Sequence, residues 1–431
     1  MTAAAIEEPA NSARSSGYVK AVVLIVVGFF ATTIAQPQVL ARLPLTNMMK
    51  NELHLSRSDV SGFFFLCGLP WYAKIIAGIV TDAFPVFGSR RKVYLAGSCA
   101  LAALSWIALA FAPHRYAALF WISLIINVFM VFTSTVLGGY MVEIAQASAT
   151  SGRLSSIRNL TQAFVSLLSA PAAGYLGIIA FSWTAGICGG VMFILVPAAM
   201  LLLFEERRRV DTALVLDNFA QQFGSLARAR TLWAAAGLTL LVFIAPGFNT
   251  ALFYKQQNDL HMTTVDQGYL NMAGSITGLI APFAYIWACR RFSLRAMLAG
   301  SLALGAAGTL PFMFYDSVSR AYAITALSGF VGTLGEVALM DLAVRATPLG
   351  SESLGFAVML SMRNVALFGT DWLGSLMLDK LHLPFNDLVL ANAATTALAV
   401  PLVYLLPKAL VRRKEAELLE EFPEPKTQMQ E

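Results

Sequence analysis

Lys74, Glu336 and Arg363 stand near the middle of long apolar runs in a chain of 431 residues. An ionised group at the centre of a hydrocarbon layer costs about 3 kcal/mol or more unless it is paired or hydrated. Charges kept there mark a polar pocket, where they can hold a charged solute, relay a proton or neutralise one another. Glu336 and Arg363 fit either the binding or the neutralising role, and Lys74 either braces helices or touches a solute. Glu143 and Arg158 fall closer to the ends of consecutive runs and read as a structural ion pair.

All four histidines, His54, His114, His261 and His382, lie in connections between runs, so a proton relay would need carboxylates. Glu336, Asp341 and, nearer the outer end, Asp371 are the candidates. Gln36, Gln38, Asn127, Asn249 and Asn271 are uncharged groups able to complete a polar site, and Trp71, Phe248 and Tyr254 are candidate ring platforms or plain core. Cys67, Cys99, Cys188 and Cys289 sit in four different runs without C-x-x-C spacing, which suggests neither a disulfide framework nor a zinc site. No phosphate loop, nucleophile elbow or metal-ligand cluster stands out, so neither an enzyme nor a bound metal or cofactor is expected.

The elements that must position these groups follow from composition. Residues are 57% hydrophobic and 13% charged, too little polar surface to cover a water-soluble body. An all-α membrane protein is expected, with runs at 21–43, 58–80, 93–112, 117–146, 154–180, 183–204, 232–256, 266–289, 294–315, 318–345, 353–377 and 385–407. Basic residues gather in alternate connections, among them Arg90, Arg91, Lys92, Arg207, Arg208, Arg209, Arg290, Arg291, Arg295, Arg412 and Arg413. By the positive-inside rule that side is cytoplasmic, and both termini face it, most simply across a cell inner (plasma) membrane. The formal net charge of +5 therefore reflects topology and calls for no nucleic acid; the partner is the lipid bilayer.

One long polar connection divides the runs six and six. The expected organisation is a cytoplasmic tail at 1–20, a six-helix bundle at 21–204, a cytoplasmic linker at 205–231, a second six-helix bundle at 232–408 and a tail at 409–431. Leu216, Phe219, Phe223 and Leu226 recur at helical spacing within the linker, as in an amphipathic helix on the inner surface. An internal repeat supports the division. Asn51-Glu52-Leu53-His54-Leu55-Ser56 with Asp59 returns at a constant interval as Asn258-Asp259-Leu260-His261-Met262-Thr263 with Asp266. Ser156-Ile157-Arg158-Asn159 is echoed by Ser361-Met362-Arg363-Asn364. Two six-helix halves related as parallel repeats are the plan of a major facilitator carrier, in which the bundles rock about a central site.

The connection after the second run carries Gly78, Asp82, Pro85, Gly88, Arg90 and Arg91 in order. Glycine permits close helix approach, and an acid at a helix end can hold arginines across a tight turn as an inner-gate latch; a plain positive-inside anchor is the alternative. The wider pattern Pro70-Trp71-x-x-Lys74-x-x-x-Gly78-x-x-x-Asp82-x-x-Pro85-x-x-Gly88-x-Arg90-Arg91-x-x-Tyr94 resembles the signature of the folate-biopterin transporter family, a branch of the major facilitator superfamily. The segment Pro246 to Tyr254 and the stretch from Asp341 through Pro348-Leu349-Gly350-Ser351-Glu352 to Ser361 are similar to that family too. Ile75, where the family has proline, and Val93 depart from it.

The resemblance implies twelve transmembrane helices and a pterin, folate or similar heteroaromatic anion as substrate, moved by alternating access with possible proton coupling. It implies that Glu336 accepts hydrogen bonds from an amino-pyrimidinone edge while Arg363 or Lys74 pairs with carboxylates, with Trp71, Asn127, Asn249, Tyr254 and Gln36 beside them. Two rivals stay open: a carrier for another organic anion, and a non-transporting membrane assembly factor of the pigment-delivery type.

Overall fold

The computed structural model describes residues 4–89, 91–147, 151–203, 205, 212–242, 244–289, 291–346 and 352–407. Among the described residues there is no β-strand, only an isolated bridge between Val86 and Ser89. The chain divides into two compact units. The first takes Met1–Ala220 with Thr263–Tyr269, the second Gln221–Met262 with Leu270–Glu431.

The first unit contains α1 (Ala4–Ile34), α2 (Arg42–Asn51), α3 (Arg57–Cys67), α4 (Leu69–Tyr72), α5 (Lys74–Ala83), α6 (Lys92–Ala110), α7 (Tyr116–Ala147), α8 (Ser151–Leu176) and α9 (Phe181–Leu202). Next come α10 (Thr212–Arg228), α11 (Arg230–Val242), α12 (Asn249–Asn258), α13 (Thr264–Cys289), α14 (Leu294–Thr309), α15 (Val318–Ala346), α16 (Glu352–Lys380) and α17 (Phe385–Leu402). The units pack alike: α6 lies along α7 and α9 in the first, and α14 lies along α15 and α17 in the second.

Helices α1, α6, α7, α9, α13, α14, α15 and α17 each hold a stretch long and apolar enough to cross a membrane. The four remaining expected crossings are helical but broken or polar. The second is divided at Gly68 and Ala73 into α3, α4 and α5, and the seventh is split into α11 and α12. The fifth, α8, carries Arg158, and the eleventh, α16, carries Arg363 and Asp371. Helices that line a polar pathway give up continuous hydrophobicity for function.

The first helix of each half breaks at corresponding points, which the apolar pattern concealed. After α1 the chain turns through 35–41 and resumes as α2, so the first crossing ends at Asn51 rather than near 43. Leu43, Leu45, Met48 and Met49 are buried along α2 and extend the apolar face. Helices α2 and α12 lie at the repeat's own interval, and both end with a histidine in the left-handed region, His54 at φ 52° and His261 at φ 51°. The closing hydrogen bonds match as well: Leu53 and Leu55 N–H donate to Met48 and Met49 carbonyls, and Leu260 and Met262 to those of Lys255 and Gln256. Reciprocal caps then start the next helices, Ser56 with Asp59 and Thr263 with Asp266, each backbone N–H held by the other's side chain.

The expected amphipathic linker helix is present as α10. Leu226 is buried and Phe223 exposed, while the side chains of Leu216 and Phe219 lie outside the described set.

Candidate functional site

In the first unit the break between α4 and α5 aims Trp71 and Lys74 at α7. Pro70, in the first turn of α4, lacks the N–H that a continuous helix would need. Trp71 Nε1 donates to Asn127 Oδ1 at 2.8 Å, and Asn127 Nδ2 donates to the Ser123 carbonyl at 2.9 Å. Lys74 Nζ lies 5.5 Å from the Trp71 ring centroid and donates to Ser134 Oγ at 3.0 Å. Arg158 on α8 does not meet Glu143. Its guanidinium lies 5.1 Å from the Phe29 ring on α1, and its buried Nε has no hydrogen-bond partner.

In the second unit Arg363 Nη2 donates to Glu336 Oε1, joining α16 to α15. The pair lines a small open cleft of about 10 Å³, room for roughly one water, with Thr239, Leu339, Met340, Ala343 and Met359. Glu336 is 47% exposed and Arg363 20%, so the carboxylate faces the opening while the guanidinium is held back. Asp341 is occupied differently: it accepts from Arg345 Nε at 2.8 Å and from Tyr285 Oη at 2.8 Å.

Asp371 holds the broken helix together. Pro246 has no N–H and biases Ala245 away from helical angles, so α11 cannot run on into α12. The freed groups find partners on neighbouring helices, as a membrane interior requires. Gly247 N–H donates to the Thr370 carbonyl at 2.9 Å, and Asn392 Nδ2 to the Pro246 carbonyl at 3.0 Å. Thr250 donates through its backbone N–H at 2.9 Å and its hydroxyl at 2.7 Å to the two Asp371 oxygens. Gly374 passes so near the Gly247 carbonyl that a Cβ there would collide with it.

Beside the turn between α5 and α6, Arg91 rather than Arg158 takes the Glu143 carboxylate, with Arg91 Nη2 donating to Glu143 Oε1 at 2.8 Å. The guanidinium fills the space where a Cβ on Gly139 would sit, so a side chain there would displace the Arg91 head group. Glu205, just beyond α9, accepts from Ser89 Oγ at 2.6 Å and from the Arg91 and Lys92 backbone N–H groups at 3.1 Å, capping α6 with a negative charge. Tyr94 Oη donates to the Phe84 carbonyl at 2.7 Å across the same turn. Gly88 adopts φ 75°, whereas a Cβ on Gly78 would meet nothing closer than 3.7 Å; close approach therefore does not demand glycine at 78. Pro85 is partly buried in the turn, and the Asp82 side chain and Arg90, the two sides of the expected latch, lie outside the described set.

The structure thus joins Trp71 to Asn127, Lys74 to Ser134 and Glu336 to Arg363, and keeps Asp341 and Asp371 on separate partners. Tyr254 is buried, and Phe248 packs edge-on against Phe312 and Phe385, so neither presents a free ring face within its unit. Gln36 is half-buried in the α1–α2 break and Asn249 is exposed at the start of α12.

Residues 36–420 match the model of the BT1 family. The chain belongs to the BT1 family. Its similar relatives include the Folate-biopterin transporter of Synechocystis sp., 25% identical over 89% of this chain and 82% of that one. Folate transporter 1 of Plasmodium falciparum is 22% identical over 86% of this chain and 77% of its own length. Among solved structures a POT family transporter in complex with 5-aminolevulinic acid aligns with a TM-score of 0.73 at 11% identity, over 90% of this chain and 96% of that one. A D-xylose-proton symporter aligns at 0.66 and 15% identity, over 92% and 98%. These likenesses give the BT1 chain the twelve-helix major facilitator fold. It is an integral, multi-pass membrane transporter and not an enzyme.

Sequence reasoning missed two groups in this BT1-family chain. Glu205 looked like the first residue of a linker, and nothing in its neighbours revealed the α6 cap. Proximity in sequence points Arg158 to Glu143, although the Arg-Asn echo with Arg363 and Asn364 marks the two arginines as equivalent.

Proposed function

We propose that this BT1 transporter moves a pterin, folate or related flat heteroaromatic anion by alternating access, and that Glu336 both contacts the cargo and carries a coupled proton. The reading is supported most directly by one observation: a half-exposed carboxylate opens on a pocket while its arginine holds it in place. A carboxylate in that setting accepts hydrogen bonds from an amino-pyrimidinone edge, and the neighbouring guanidinium fixes its orientation. The names of the relatives supply the substrate class. All three acids have partners, but Glu336 is 47% exposed against 22% for Asp341 and 4% for Asp371, which makes it the carboxylate best able to exchange a proton.

In this reading 21–204 and 232–408 are the two transport bundles, 205–231 links them on the cytoplasmic side, and the tails at 1–20 and 409–431 share that side of a plasma membrane. The charge bias of the loops supports the orientation. Uptake of labelled folic acid and biopterin into cells that lack their own folate carrier tests the substrate class. Accumulation of either above vector controls is expected; none for any pterin or folate would remove the substrate claim.

A further inference from the structure

The two units treat their interior cations differently. In the second, Arg363 is bound to Glu336 and Arg345 to Asp341. In the first, Lys74 and Arg158 have no carboxylate beside them among the described side chains. From residue 21 to residue 203 the only acids are Glu52, Asp59, Asp82 and Glu143. Glu52 is bound to His114, Asp59 caps α3 and Glu143 holds Arg91. Asp82 lies eight residues beyond Lys74 on α5, and at 1.5 Å per residue that is about 12 Å along the axis.

What Lys74 and Arg158 do touch is neutral. Ser134 and the Trp71 face receive the ammonium, and the Phe29 face receives the guanidinium. Ring faces attract cations without neutralising them. The two positive charges also oppose one another. An arrangement that leaves two cations inside a helix bundle without counter-charge among the described residues, one with a buried and unused N–H, is suited to completion by an anion from outside the chain.

We propose that Lys74 and Arg158 form the anion-accepting pole of the transporter and set its preference for carboxylated cargo over uncharged pterins. This rests on the cargo reading above and extends it. The Arg363 guanidinium is already committed to Glu336, whereas Lys74 and Arg158 have no carboxylate beside them among the described side chains. Arg158 offers a planar fork that suits a carboxylate, and Lys74 adds a point charge steadied by Ser134.

The test is binding of folic acid, biopterin and p-aminobenzoylglutamate to the purified full-length chain, comparing wild type with Lys74→Gln, Arg158→Gln and Arg158→Lys, each first checked for a monodisperse gel-filtration profile. Folic acid affinity should fall roughly tenfold or more in both glutamine variants, the scale of a lost charge-assisted contact. Biopterin affinity should change less than twofold, and Arg158→Lys should recover part of the folic acid loss. Equal losses for folic acid and biopterin, or no loss for either, would overturn the proposal. If wild type binds neither, the cargo reading fails, and p-aminobenzoylglutamate then decides the pole. Binding of that compound that weakens tenfold in Arg158→Gln supports the pole, and absence of binding overturns it.

Discussion

Glu336→Gln separates binding from scaffolding. The pair with Arg363 is neither a surface bridge nor a sealed one, since 47% of the acid side chain and 20% of the base remain exposed. Exposed pairs contribute about 0.2–1 kcal/mol, and breaking fully buried ones costs about 3–5 kcal/mol. Glutamine keeps the shape and an acceptor oxygen, so the stability loss should be about 1–2 kcal/mol. Cargo binding should respond more sharply than that small change suggests. A hydrogen bond to a charged acceptor is worth about 1.5–3 kcal/mol against about 0.5–1.5 kcal/mol for a neutral one. The difference, about 1–1.5 kcal/mol, lowers affinity roughly five- to twelvefold. Calorimetric titration of the purified variant with biopterin, beside a thermal unfolding scan, measures both effects. Affinity within twofold of wild type, together with a lowered Tm, would remove Glu336 from the binding site and make it a brace for Arg363.

Other outcomes follow from single contacts. Gly374→Ala should abolish recovery of folded protein, because its methyl meets the Gly247 carbonyl, whereas Gly78→Ala should stay within about 0.5 kcal/mol of wild type; gel filtration and unfolding of both variants decide. Glu205→Gln should cost about 0.5–2 kcal/mol by weakening the α6 cap, read as a lower Tm with unchanged cargo affinity. Asp371→Asn should cost about 1–3 kcal/mol in stability while leaving the pH dependence of uptake intact, whereas Glu336→Gln should abolish that dependence; uptake rates across external pH compare them.

The sequence made the halves visible through polar residues, not apolar ones. The Asn-acid-Leu-His repeat marked equivalent positions, and both histidines do take the left-handed turn that ends α2 and α12. What it concealed were the breaks before those helices. Pro37 and Pro246-Gly247 were signals, but leucine, valine and alanine on either side kept the runs apolar through the turns. Side-chain partners were the least legible level. Proximity in sequence suggested Glu143 for Arg158, while packing gave it to Arg91, which reaches α7 through the gap at Gly139. Glu336 with Arg363 could be foreseen because few charges lie deep in the second half, so each had few possible partners.

The most direct measurement is flux through the isolated protein reconstituted in liposomes and supplied with labelled folic acid. Saturable, time-dependent accumulation is expected, competed by unlabelled pterin and reduced in the Glu336→Gln variant. Accumulation no faster than in protein-free liposomes, for folic acid and for every pterin tried, would contradict that expectation.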